Sequence, residues 1–473
     1  MKRFLISFSL LLAFAQGMFA DQPLDYELDP QIVEHRHCHA LQNVFNDALN
    51  LQFDQIIFEY TSVGPDLKTP VRLTGVISMN PAVYNKEESP RGLMLYNEFT
   101  TAKHHERTSQ DEIDDISFYM NKFQNLIAVS ADMYGWTLTE DKPQAYCCPE
   151  ITAVETMDAW DAAMTILQQE GYEYEGLPTF NVGYSSGGFS AIAVQKYISE
   201  KRPDISFNLT AAGGSPFDIT TVYENYVKTN FTGYKCALPL MIVAYKETYN
   251  LPFEYKDVFL PPLCDNIQEW ILSKDYNTWE INERIGLEAN VDEILTPTAC
   301  DYTQGMGRKV YEKFRDNSLC GPWCDWQPDT DTKYFIFHSE GDLYMHYFVG
   351  QEMANYLTKK GCDVKTDFGD WGNHVEYAIF AFTLETILEM ETVIGDDISD
   401  DIIDDIDDNM DKIVDLSDAT DFSGSNGMIS NIKSVSDIPS YDPMKYYTID
   451  GREISDKPLK GIYIHQGKKQ VVR

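Results

Sequence analysis

Between Phe180 and Val194 the chain reads FNVGYSSGGFSAIAV, which sets Ser185 two residues after Gly183 and two before Gly187. A serine so placed can attack a carbonyl carbon when the chain turns sharply from a buried strand into a helix. Small residues on either side leave room for the strained turn. The bare pattern is weak, since ordinary glycine and serine usage produces roughly 0.1–0.2 accidental matches in a chain of this length. Its surroundings raise it. "TFNV" reads as a strand entering the turn, and "FSAIAVQKYISE" beyond Gly188 carries apolar residues at helical spacing. Ser186 fails the same test, because Tyr184 stands where a glycine belongs.

A nucleophilic serine needs a base, an acid to orient it and donors for the oxyanion. On a strand-to-helix turn the partners follow the serine in the order Asp or Glu, then His. Four histidines follow Ser185: His338, His346, His374 and His465. His465 lies in the tail, His338 reads as part of a strand, and His346 follows the acid too closely. His374, in "GDWGNHVEY", sits on a glycine-bearing loop after the last strand and before the final helix, and is the candidate base. Asp342, in the turn "HSEGD" after the preceding strand, is the candidate acid, with Glu340 and Asp218 as fallbacks. One oxyanion donor is the backbone N–H of Ser186. The second comes from Phe99 or Thr100 in "LYNEFTTAKHH".

These residues need a frame. "QIIFEYTSVG", "VRLTGVISMNP", "RGLMLYNEF" and "NLIAVSADMYG" read as strands, and "EITAVETMDAWDAAMTILQQEG" as a helix between Pro149 and Gly171. The serine strand and its helix follow, then "DISFNLTAAGGSP", "TKYFIFHSEGD" and "CDVKTDFGDWGNH" as further strands. "HYFVGQEMANYLTKKG" lies as a helix between the last two, and "VEYAIFAFTLETILEM" closes the run. Strands alternating with amphipathic helices predict an α/β domain with a mostly parallel central sheet and helices on both faces. From about Asp218 to Thr332 the rhythm breaks. This stretch, rich in aromatic residues, proline and cysteine, reads as an insertion that caps the site.

The chain opens MKRFLISFSLLLAFAQGMFADQ, a basic start followed by a short apolar run and small residues. This pattern predicts a signal peptide over residues 1–20 and a secreted, periplasmic or cell-surface destination. No later segment is long and apolar enough for a membrane span. The net charge of −38 argues against nucleic acid as a partner. Nine cysteines in an oxidising compartment predict disulfides, notably among Cys236, Cys264, Cys300, Cys320 and Cys324 in the insertion. His35, His37 and His39 alternate around Cys38 in "EHRHCHAL". They read as a polar N-terminal segment with a disulfide cysteine rather than as metal ligands. The α/β domain spans 21–394. Residues 395–436, with their aspartate pairs, read as an acidic linker that lacks calcium-loop spacing. Residues 437–473 read as a short β tail with turns at Asp450-Gly451 and Gln466-Gly467, and resemble the C-terminal tails of secreted Bacteroidetes proteins.

"FEYTSVGPDLKTPVRLTGVISMNPA", "ADMYGW", "VGYSSGG", "HSEGD" and "NHVEYA", in this order, resemble the α/β-hydrolase superfamily. Within it they are most similar to secretory lipases and related bacterial esterases, over roughly Gln52 to Met390. Ser185, Asp342 and His374 match the triad positions of that family. The His-Gly pair that many members carry at the oxyanion loop is absent. The resemblance implies hydrolysis of acyl esters without metal or organic cofactor, on a small acyl ester, a lipid or an acylated glycan. Acetyl or feruloyl esters of plant polysaccharide and peptide cleavage are the alternatives. A catalytically silent surface-binding protein is the reading from another class.

Overall fold

The computed structural model describes residues 26–40, 51–110, 125–375 and 377–395, together with short strands between 446 and 472. Residues 1–20, read from sequence as a signal peptide, and nearly all of the acidic stretch lie outside the described residues.

Nine strands form the central sheet among the described residues: β1 (Gln31–Ala40), β2 (Leu51–Val63), β3 (Pro70–Met79), β4 (Gly92–Asn97), β5 (Leu126–Ala131), β6 (Thr179–Tyr184), β7 (Leu209–Gly213), β8 (Lys333–Phe337) and β9 (Asp363–Asp367). Their order is β1-β2-β3-β5-β4-β6-β7-β8-β9. The run from β5 to β9 is parallel, and β1, β2 and β3 join it antiparallel. Every residue of β4 and β5 is buried, as expected of parallel strands covered on both faces.

Side-chain alternation divides the core. Leu93, Leu95, Ile127 and Val129 face helices α1 (Pro149–Glu170) and α2 (Ser186–Lys201), through Met157 and Phe189 among others. Met94, Tyr96, Phe180 and Val182 face the opposite layer, which holds Phe382 and Ile387. Between β7 and β8 the chain leaves the sheet and forms α3 (Ile219–Thr229), α4 (Ala237–Tyr249), α5 (Thr278–Ile285) and α6 (Gly305–Asn317) with shorter turns. Two further helices, α7 (Phe348–Lys359) and α8 (Tyr377–Ile394), complete the two layers.

Two expectations are corrected. The polar N-terminal segment QIVEHRHCHA forms β1, the edge strand of the sheet, and its cysteine is not in a disulfide. Its charges and histidines suit an edge, where one side of the strand meets solvent. The Cys38 thiol donates to Gln55 rather than joining a disulfide, His35 bonds Tyr84, and His37 bonds Asp54. The five cysteines of the insertion form no disulfide. The Cys236 thiol points to the Thr278 carbonyl, and the Cys324 thiol to the carbonyls of Ser318 and Cys320. Aromatic packing holds the insertion instead, with Tyr223 and Tyr245 edge-on to Phe314 at 5.6 and 5.0 Å.

In the tail, four short strands pair antiparallel into a second small sheet, with His465 opposite Lys468.

Candidate active site

Ser185 occupies the turn between β6 and α2 with φ 56° and ψ −124°, a conformation that non-glycine residues rarely adopt. Such a residue costs on the order of 1–3 kcal/mol, and the surroundings must hold it. Its N–H donates to the Gly213 carbonyl at 2.8 Å, and its carbonyl accepts from Phe189 N–H at 3.2 Å. Two glycines make the turn possible. A Cβ on Gly183 would lie 2.2 Å from the Gly187 carbonyl oxygen, and one on Gly187 would lie 2.1 Å from the Asn97 oxygen. Both obstacles are backbone and cannot swing away. Gly187→Ala is therefore expected to destabilise the protein by about 3 kcal/mol and to displace the loop after β4. Thermal denaturation of the variant tests this; a melting temperature equal to that of the parent would contradict it.

The loops after β8 and β9 carry the other two residues to the same end of the sheet. His374 Nε2 lies 2.8 Å from Ser185 Oγ, and His374 Nδ1 lies 2.6 Å from Asp342 Oδ2. Asp342 is fully buried. Its other oxygen accepts the backbone N–H groups of Tyr344 and Met345 at 2.8 and 2.9 Å. Burial alone would raise its carboxyl pKa. The facing His374 and the hydrogen bonds from His338 and His374 outweigh that and hold it well below the usual carboxylate range. The fallback acids are elsewhere. Glu340 is exposed, and Asp218 caps the start of α3 through Thr220 N–H and Ser318.

No family model matches the chain, and no curated protein does. Solved structures do. The rice cell wall degrading esterase LipA from Xanthomonas oryzae superposes with a TM-score of 0.64 at 17% identity, over 78% of this chain and 98% of its own. Lipase A from Candida antarctica in its closed state gives a TM-score of 0.55 at 10% identity, over 82% and 91%. The chain has the α/β-hydrolase fold. In this hydrolase fold, ligands meet the sheet where the parallel strands end, and Ser185, Asp342 and His374 all stand there.

Ser186, the first residue of α2, has a backbone N–H with no partner earlier in the helix, as at any helix start. Thr100 comes beside it, with Thr100 Oγ1 3.1 Å from Ser186 Oγ and 2.8 Å from the Tyr146 hydroxyl. Phe99, Thr100 and Ser186 line one cleft with Trp136, Tyr146 and Ser190. The loop that holds Phe99 and Thr100 is tied down from below. Arg107 pairs with Glu98 at 3.0 Å and donates to the Ala131 carbonyl at 3.0 Å and to Thr101 at 3.2 Å. Buried acids surround this tie. Burial and the Glu98 charge push Asp132 up against the pull of Arg107, and burial pushes Glu155 up to about 8.

The insertion meets the same end of the sheet. Lys274 donates to the carbonyls of Glu140 and Lys142 at 2.8 and 2.6 Å, and its own carbonyl accepts His104 N–H at 2.9 Å. Burial lowers the Lys274 ammonium to about 8.

His338 is the neighbour that sequence reasoning set aside as a strand residue. It stands one position past β8, fully buried, with Nε2 2.5 Å from the Met345 carbonyl and 3.3 Å from Asp342 Oδ2. Its offset of four residues from Asp342 was the only local signal. Among the described residues no cluster of three His, Cys, Asp or Glu side chains is placed to hold a metal ion, and no helix is long and apolar enough to cross a membrane.

Proposed function

We propose that the protein is a secreted serine hydrolase that cleaves carboxylic acyl esters through Ser185, His374 and Asp342. The observation that carries this reading is the unbroken hydrogen-bond chain from Ser185 Oγ through His374 to Asp342, on a strained strand-to-helix turn. His374 Nε2 takes the Ser185 proton as Oγ attacks the ester carbonyl. Asp342 accepts from Nδ1–H, keeps Nε2 free to act as base, and stabilises the imidazolium that forms. The negative charge on the carbonyl oxygen rests on the N–H of Ser186 and of Phe99 or Thr100. His374 then protonates the leaving alcohol. Water, deprotonated by the same imidazole, releases the acid and restores Ser185. No step calls for a metal or an organic cofactor.

An acylated cell-wall glycan is the second substrate reading, favoured by the likeness to a cell wall degrading esterase. A fluorophosphonate probe tests the chemistry: it is expected to label the wild type and not Ser185→Ala. Equal labelling of both proteins, each folded, would overturn the assignment. A panel of short and long acyl esters with acetylated and feruloylated xylan separates the substrate classes.

A further inference from the structure

The surroundings of His374 reach beyond its acid. Two tyrosine rings lie against the imidazole. Tyr184, from the end of β6, has its centroid 5.2 Å away and tilted by 40°, and its hydroxyl donates to the His374 carbonyl at 2.7 Å. Tyr344, two residues after the acid, has its centroid 5.2 Å away and tilted by 35°. Tyr344 is in turn stacked on Tyr234 of the insertion, at 4.7 Å and 12°. The insertion holds the same short segment by its backbone. Gly233 N–H donates to the Leu343 carbonyl at 3.2 Å, and the Tyr226 hydroxyl donates to the Tyr344 carbonyl. The approach is close enough that a Cβ on Gly233 would meet the Leu343 oxygen at 2.7 Å. Asp342 Oδ1 accepts from Tyr344 N–H, so the segment that the insertion grips is the one that fixes the acid.

We infer that the insertion positions the base: Tyr234 backs Tyr344, and Tyr344 holds the His374 imidazole in line with Ser185. This inference rests on the triad reading above. Two effects follow from the geometry. The rings restrict the tilt of an imidazole that must meet Asp342 on one nitrogen and Ser185 on the other. An aromatic face against the ring also stabilises the positive charge that the imidazole gains as it takes the Ser185 proton, so the gain falls on the transition state. Tyr344 and Tyr234 act through His374 and are positioning residues.

The test compares Tyr344→Phe, Tyr344→Leu and Tyr234→Leu in the full chain. Tyr344→Leu is expected to lower kcat about 10–100-fold, and Tyr234→Leu about 5–10-fold, with KM changed by no more than about threefold. Tyr344→Phe, which keeps the ring, is expected to stay near the parent. A second readout does not depend on turnover. In the Ser185→Ala protein, the His374 Nδ1–H proton shared with Asp342 should give a downfield NMR resonance. That resonance should broaden or vanish with either leucine variant and persist with Tyr344→Phe. An unchanged resonance in folded Tyr234→Leu overturns the inference, as does a loss in KM alone. If Tyr344→Leu fails to fold, Tyr234→Leu decides. If the wild type shows no Ser185-dependent ester hydrolysis, the functional reading fails, and the resonance still judges the coupling.

Discussion

Ser185→Ala is expected to lower kcat on a short p-nitrophenyl ester by about 10⁴–10⁶-fold while leaving the melting temperature close to that of the parent. The change removes one hydroxyl, whose partner is His374 Nε2, and alanine can hold the turn set by the Gly213 carbonyl and the two glycines. Asp342→Asn is expected to cost about 10⁴-fold by a different route. Asparagine keeps an oxygen for Tyr344 and Met345 N–H, but it turns an NH₂ toward His374 Nδ1. The imidazole proton then moves to Nε2, where it faces Ser185 and blocks the base. On the proposed mechanism the three groups act as a unit, so Ser185→Ala combined with His374→Ala should be no worse than Ser185→Ala alone. Steady-state kinetics on the four proteins read all of this. More than a tenth of parental turnover in folded Ser185→Ala would remove Ser185 from the mechanism.

The residues argued to carry chemistry were legible because each is attached to a strand end. Ser185 lies between an apolar strand and a helix, Asp342 after "YFIF", and His374 between "DVKTD" and the final helix. Strand ends in a parallel sheet converge, so order along the chain predicted proximity. What was illegible depends on contacts across the fold. β1 hid because its histidines and charges mask the alternation of a strand, and an edge strand needs only one satisfied side. Tyr234 and Tyr344 are 110 positions apart, and nothing local marks either as a neighbour of the base. Disulfides were inferred from cysteine number and compartment, which say nothing of where a thiol sits. Cys236 and Cys324 each face carbonyl oxygens of nearby turns. The buried acids were invisible for the same reason: Glu155 reads as one polar position of a helix, and only the folded chain shows it closed off beneath the loop after β5.

That buried Glu155 makes the stability of the protein fall with rising pH across the neutral range. Burial raises its carboxyl from 4.5 to about 8 in the folded chain, whereas the unfolded chain leaves it near the ordinary value. Between those limits the folded state holds a proton that the unfolded state has released. Stability therefore falls as pH rises through this window, and the contribution is gone above about 8. Asp158, raised to about 6 by burial, and Asp132, raised by burial and by Glu98, act in the same direction. Asp342 acts the other way, but only below its ordinary value of 3.8, outside this range. Lys274 also acts the other way, above about 8, where the folded chain loses a proton that the unfolded chain keeps. His346, lowered from 6.5 by burial, opposes the fall only below that value, and the buried thiols of Cys147, Cys148 and Cys236, raised from 9, extend it at higher pH, so the melting temperature is expected to decline from pH 5 through pH 8. Glu155→Gln tests the assignment. Glutamine keeps an oxygen to accept Tyr134 N–H, which Glu155 Oε2 accepts at 3.0 Å, and it does not titrate. Its melting curve should be flatter between pH 5 and 8, with a gain over the parent at pH 8 on the order of 2–4 kcal/mol. Scanning calorimetry of both proteins at fixed ionic strength measures the difference; parallel curves would show that Glu155 carries no buried proton.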